Sequence, residues 1–174
     1  YVQLAGQLNT LRKMVFDALQ HRVKNKITEF IPELSELEVR YHQGWSVDFS
    51  LEQQLAHDAD KNRLYGNLQH GVHKMDIRNH INNQLAHECL SRGQKKLISI
   101  IYYLCFIEFL TEECGVTPLL CLDDMDAELD LDKTRILCDF IEHSKHQVFI
   151  TTVDPAKLTS VLKDAAMFHV KHQQ

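Results

Sequence analysis

The sequence predicts an α/β fold with a mainly parallel sheet, preceded by a mainly helical arm. Two observations carry that expectation. From Gln94 to Val170, helical repeats alternate with short apolar runs, the order that βαβ units produce. Before them, residues 4 to 31 form one long amphipathic helix with no strand-like alternation. A chain of 174 residues with 44% hydrophobic content can bury one substantial core, so a disordered tail is excluded.

In chain order, Leu4, Leu8, Leu11, Val15, Leu19, Val23 and Ile27 recur at helical spacing, and Pro32 ends the run by disfavouring helical geometry at Ile31. Leu37, Val39 and Tyr41 alternate with polar residues up to Gly44, which reads as a strand. Ser50 with Gln53 makes a capping box that starts a helix running to about Arg63. Short extended segments are expected at Leu64 to Leu68 and Met75 to Ile81, with Asn82-Asn83 as a turn. Gln94 to Cys114 is a long helix ended by Gly115, which suits the left-handed conformation beyond a helix C-terminus. Leu119 to Leu122 is a buried parallel strand, Leu131 to Ser144 a helix, and Gln147 to Thr151 a second strand. Pro155 to Lys163 is a helix and Met167 to Val170 a last strand. A boundary near residue 64 divides the helical arm, 1–64, from the α/β part, 65–174.

The formal charge of -5 argues against a surface that is basic throughout, so any nucleic-acid contact is a local patch. The first helix carries a candidate, with Arg12, Lys13, Arg22, Lys24 and Lys26 against Asp17, although a solvated helix face is the better account of it. Five cysteines without a C-x-x-C pair read as reduced thiols. Eleven histidines include pairs at i,i+3 spacing but no cysteine pair beside them, which does not make a zinc site. The apolar stretch Leu97 to Leu110 is interrupted by Ser99 and Glu108 and is too short to cross a bilayer, and no signal peptide is visible. Tyr1 opens in mid-helix, as at a boundary inside a longer polypeptide.

Three segments carry chemistry. Leu90-Ser91-Arg92-Gly93-Gln94 sits directly before the long helix, where a serine hydroxyl and unpaired backbone amides suit a phosphate; read alone, Ser91 is better taken as a plain helix cap with Gly93 as a turn residue. Leu119-Leu120-Cys121-Leu122-Asp123-Asp124 delivers two adjacent carboxylates, with diverging side chains, at the C-terminal end of a strand, where open α/β sheets bind ligands. In phosphoryl transfer the first holds Mg²⁺ and the second orients or activates the attacking water. Ala127-Glu128-Leu129-Asp130 follows at once, with Asp130 also placed to cap the next helix. From Glu108 to Asp132 every charged residue is a carboxylate, a density that a divalent cation would relieve.

Their order and spacing resemble the LSGGQ signature, Walker B strand and D-loop of ABC-type ATPases, and Leu-Ser-Arg-Gly-Gln together with Asp-Asp resembles the RecF family. Tyr41-His42-Gln43-Gly44-Trp45 is similar to that family's R-G-W strand exit, and His70-Gly71-Val72-His73-Lys74-Met75-Asp76 to its G-P-H-K-x-D segment, with Val72 where proline is usual. Glu108-Phe109-Leu110-Thr111-Glu112 and Gln147-Val148-Phe149-Ile150 extend the likeness to the chain's end.

The resemblance implies a P-loop NTPase head of ABC type behind a lever-arm-like segment. It implies ATP and Mg²⁺ as cofactors, with Asp123 as metal ligand and Asp124 as the catalytic carboxylate. Ser91, Arg92, Gly93 and Gln94 would contact nucleotide held by the opposite subunit, and Glu128 with Asp130 would form the D-loop. Thr152 stands near the position of the switch histidine of many ABC ATPases and is the candidate for that place. No G-x-x-x-x-G-K-[ST] occurs, so the phosphate-binding loop would lie in an N-terminal lobe outside this sequence. The implied partners are DNA at gaps or junctions, RecR, RecO and a second copy in an ATP-dependent homodimer, with no membrane and a cytoplasmic, nucleoid-associated location. Two other readings are an SMC-like structural chromosome ATPase, disfavoured because sustained heptads do not lead into Ser91, and an inactive dimerisation module.

Overall fold

The computed structural model describes residues 1–125, 127, 129–144, 146–163 and 165–170. The chain packs as two compact units, Tyr1–Leu90 and Ser91–Gln174.

In the first unit, α1 (Val2–Phe30) stops where expected: Ile31, before Pro32, leaves helical geometry at φ -137°, and its N–H makes the last helical bond to Ile27 O at 2.8 Å. Val23, Ile27, Ile31 and Leu37 are fully buried. Antiparallel β1 (Glu38–His42) and β2 (Asp76–Ile81) pair Tyr41 with Ile77, and β3 (Gln84–Leu85) adds to β2 as a hairpin. Asn82 and Asn83 have φ values of 50° and 64°, the paired left-handed conformation of a two-residue hairpin turn, which asparagine tolerates. α1 is anchored to β1 by Phe16 against Tyr41, ring centroids 5.4 Å apart, and by the Tyr41 hydroxyl donating to Asn9 Oδ1 at 2.7 Å.

Two motif segments meet in this unit. Gly44 and Gly71 take positive φ (101° and 146°), and the Gly71 N–H donates to Gly44 O at 3.0 Å. A Cβ at Gly44 would lie 2.1 Å from Gly71 O, so only glycine permits the approach. The Arg12 guanidinium donates to Val72 O at 2.7 Å, tying the second segment to α1.

The helix expected from Ser50 to about Arg63 is two helices, α2 (Leu51–His57) and α3 (Ala59–Tyr65), which meet at Asp58. Ser50 and Gln53 do form the capping box. Asp58 breaks the helix because its carboxylate is turned inward, 2% exposed, accepting from Gln54 Nε2 (2.8 Å), His70 Nδ1–H (2.6 Å) and His57 Nδ1–H (3.3 Å). The extended segment expected at Leu64 to Leu68 is absent: Leu64 and Tyr65 complete α3 and Gly66 closes it at φ 68°. The sequence division near residue 64 separates arm from head, whereas packing joins 65–90 to the first unit, because β2 and β3 complete the β1 sheet and α4 (Ala86–Cys89) follows directly.

Asp58 makes a prediction for acid stability. Hydrogen bonds from Gln54, then His70 and His57, outweigh the opposing effect of burial and lower its pKa from the ordinary 3.8 to about 2. A depressed carboxyl stabilises the fold above its unfolded pKa and ceases to do so as pH falls through the folded value. Resistance of the first unit to urea, followed by Trp45 fluorescence, should therefore fall between pH 3.8 and about 2, and Asp58→Asn should flatten that slope. An unchanged slope in the variant would remove Asp58 from the account.

In the second unit, α5 (Arg92–Cys114) is closed by Gly115 at φ 64°. β4 (Leu120–Leu122) and β5 (Val148–Ile150) pair in parallel, Leu120 with Val148 and Leu122 with Ile150, and α6 (Leu131–His143) connects them. Leu97, Ile101 and Cys105 from α5, Met125, and Leu137 and Cys138 from α6 are fully buried. α7 (Pro155–Thr159) is shorter than expected; its following turn is closed by the Val161 N–H to Leu158 O. The strand expected at Met167 to Val170 is not formed: the segment pairs with neither β4 nor β5, and Phe168 is 83% exposed. No described helix is long and apolar enough to cross a membrane.

Candidate functional site

Ser91 caps α5. Its Oγ accepts from the Gln94 N–H at 3.2 Å, and Gln94 Oε1 accepts from the Ser91 N–H at 3.0 Å, a complete capping box. The box uses the hydroxyl as an acceptor, which leaves its O–H to donate to an anion. No acidic residue occupies the first turn of α5, so the positive end of the helix dipole is uncompensated there. Arg92 and Gly93 are the first two helical residues, so Gly93 lies inside the helix and not in a preceding turn.

β4 ends at Leu122 and delivers Asp123 and Asp124 to its C-terminal edge. The parallel register that sets Leu122 beside Ile150 also sets Asp123 beside Thr151. The Thr151 hydroxyl donates to Asp123 Oδ1 and accepts from the Asp124 N–H at 2.8 Å. The Thr151 backbone is fixed as well, its N–H donating to Leu122 O (3.0 Å) and its carbonyl accepting from the Met125 N–H (3.3 Å). Asp124 is left-handed at φ 49°, a conformation in which aspartate is among the tolerated non-glycine residues. Asp123 engages Thr151 through its carboxylate, while the Asp124 carboxylate has no hydrogen-bond partner among the described residues.

Lys96, on the second turn of α5, reaches the same loop. Its ammonium donates to the carbonyls of Asp124 and of Ala127, the latter at 3.1 Å, tying the signature-type helix to the segment after β4. Asp130 caps α6, with Oδ1 accepting from the Lys133 N–H at 2.8 Å and Oδ2 from Lys133 Nζ at 2.6 Å. The Lys133 side chain and backbone N–H hold the Asp130 carboxyl below the usual carboxylate range. Glu128 lies outside the described residues. The Thr152 hydroxyl accepts from the Asp154 N–H at 3.0 Å, a turn contact.

Sequence reasoning missed Thr151 and Lys96. The signal for Thr151 was the strand register: two apolar tripeptides paired in parallel place the residue after one beside the residue after the other. Lys96 carried no signal, because its reach to two carbonyls depends on how α5 packs.

No group of three or more acidic, histidine or cysteine side chains gathers in a metal-binding arrangement among the described residues. Asp123 alone, exposed at the strand end, fits Mg²⁺ of the kind held by one or two carboxylates together with nucleotide phosphates. It does not fit a dedicated protein cage.

A capped helix leading into a parallel strand that ends in paired aspartates, followed by a helix-capping aspartate, defines an ABC-type ATPase head. Residues 9–174 match the model of the RecF/RecN/SMC N terminal domain, and the chain belongs to that family. It is 36% identical over 168 residues to the DNA replication and repair protein RecF of Chromohalobacter salexigens, covering 95% of this chain and 46% of that protein. To the RecF of Pseudoalteromonas atlantica it is 30% identical over 174 residues, covering 99% and 48%. Among solved structures, the recombination mediator protein RecF with ATP in the RecFOR pathway aligns with a TM-score of 0.60 and 26% identity, over 88% of this chain and 44% of that one. An SMC ATPase, from work on ATP-driven dimerization and DNA stimulated activation, aligns at 0.55 with 14% identity over 94% and 83%, which is a likeness of fold alone. The chain spans about half the length of the curated relatives it matches.

Proposed function

We propose that this chain is part of a RecF-like DNA-repair ATPase that dimerises on ATP, binds DNA at gaps or junctions and helps RecO and RecR load recombinase, hydrolysis driving release. The observation that carries this reading is the pairing, within one unit, of the capped N-terminus of α5 with the Asp123-Asp124 strand end, bridged by Lys96. The relatives named as DNA replication and repair proteins support the cellular role.

In this reading Asp123 is the Mg²⁺ ligand, and the metal when bound would neutralise charge on the nucleotide's phosphates. Thr151 occupies Oδ1 of Asp123, which leaves Oδ2 for the metal. Asp124, whose carboxylate is unengaged among the described residues, orients the attacking water and accepts its proton. Ser91 donates its hydroxyl proton, and the Gly93 and Gln94 region of α5 presents the helix N-terminus, to the γ-phosphate of nucleotide held by the opposite subunit, with Arg92 beside it. Asp130 fixes the start of α6 and with Glu128 forms the segment that couples the two sites. Residues 1–64 serve as the arm and 65–174 as the head.

Since no phosphate-binding loop occurs in these 174 residues, they alone should show no ATP binding by calorimetry with Mg²⁺. The full-length protein should bind ATP and hydrolyse it with Mg²⁺, faster when gapped duplex DNA is added. Micromolar ATP binding by residues 1–174, or a full-length protein without hydrolysis, would overturn the assignment.

A further inference from the structure

We propose that Thr151 is a positioning residue of the hydrolytic site: its hydroxyl, held between the Asp123 carboxylate and the Asp124 N–H, fixes the orientation of both acids from β5. The inference rests on the ATPase reading above, and goes beyond it by assigning a role to a residue outside the recognised motifs.

Thr151 is placed by main-chain bonds on both sides. Its N–H continues the β4–β5 ladder to Leu122 O and its carbonyl accepts from Met125, so its side chain has little freedom to leave the acid pair. One hydroxyl then serves two neighbours with opposite needs. As a donor it occupies Oδ1 of Asp123, leaving Oδ2 for a cation. As an acceptor it takes the Asp124 N–H, holding the backbone of that residue at φ 49°. A residue that was only packing would need no hydroxyl here, and Thr151 is exposed, so apolar burial does not explain its placement. Outer hydrogen bonds of this kind orient a metal ligand, and their loss reduces metal affinity or activity by roughly 10–100-fold. The adjacent Thr152 makes no such contact; its hydroxyl meets the Asp154 N–H.

The chemistry asks for an oxygen that both donates and accepts, which serine also supplies and valine does not. In the full-length protein, wild type, Thr151→Val and Thr151→Ser can be compared by two readouts. One is the Mg²⁺ concentration giving half of the ATP-dependent rise in melting temperature. The other is steady-state turnover at saturating ATP. Thr151→Val should raise the half-saturating Mg²⁺ concentration by about tenfold or more and lower turnover to a similar extent. Thr151→Ser should restore both to within about threefold of wild type. A Thr151→Val protein with wild-type Mg²⁺ dependence and turnover would overturn the inference, as would one whose only defect is a lower melting temperature without nucleotide. A wild-type protein that shows neither Mg²⁺-dependent hydrolysis nor the thermal shift would instead overturn the ATPase reading, and the inference with it.

Discussion

Asp124→Asn in the full-length protein is expected to slow ATP hydrolysis by about 10²- to 10⁴-fold, the range that a positioned general base contributes. ATP binding should change little, because Asp123 and its Thr151 hydrogen bond are untouched. The substitution is unusually clean. Asp124 sits at φ 49°, where asparagine is accommodated as readily as aspartate, and its N–H still reaches the Thr151 hydroxyl. The Lys96 bond is to the Asp124 carbonyl and does not depend on the side chain. Charge at one carboxylate is therefore the single change. Single-turnover hydrolysis beside equilibrium nucleotide binding separates the two steps, and turnover within twofold of wild type would reassign the role.

Ser91→Arg should act on assembly. Nucleotide affinity of the monomer should stay near wild type, since Ser91 belongs to no phosphate-binding loop. Dimerisation with ATP should weaken on the order of 100-fold, about 2.7 kcal/mol. The arginine removes the hydroxyl donor, places a bulky cation against the positive end of α5, and fills the space a γ-phosphate must enter. Loss of the cap itself costs about 1 kcal/mol of helix stability. Ser91→Ala isolates that cost, so the two variants separate capping from obstruction. Residence time on gapped duplex DNA should fall together with dimerisation, because both require the closed pair.

Much of the site was legible in the sequence because it depends on local chemistry. Ser91 and Gln94 stand at the spacing of a capping box, and Gly115 at the end of the same helical run; both behave in the fold as those short-range rules require. The strands β4 and β5 were visible as apolar tripeptides flanked by turn residues, and Asn82-Asn83 as a hairpin turn. What escaped depends on contacts distant in sequence. Asp58 looks like any helical aspartate until His70, twelve residues on, turns it inward and breaks the helix. Met167 to Val170 has strand-like composition, yet a strand requires a neighbour, and the segment pairs with none of the described strands. The division at residue 64 followed the end of helical periodicity, whereas β2 belongs with β1 through pairing that no local pattern encodes. Thr151 was passed over for Thr152 because position relative to a motif is counted along the chain, while the hydroxyl that meets the acids is chosen by register.

The central claim is that Ser91, at the N-terminus of α5, faces nucleotide held by a second subunit. Sedimentation velocity of the full-length protein tests it most directly, with Mg²⁺ and either ATP or ADP, for wild type and Ser91→Arg at nucleotide concentrations that saturate both. The account predicts a dimer only for wild type with ATP, and monomers in the other three samples. A Ser91→Arg protein that dimerised with ATP as wild type does would contradict it and leave Ser91 a helix cap and nothing more.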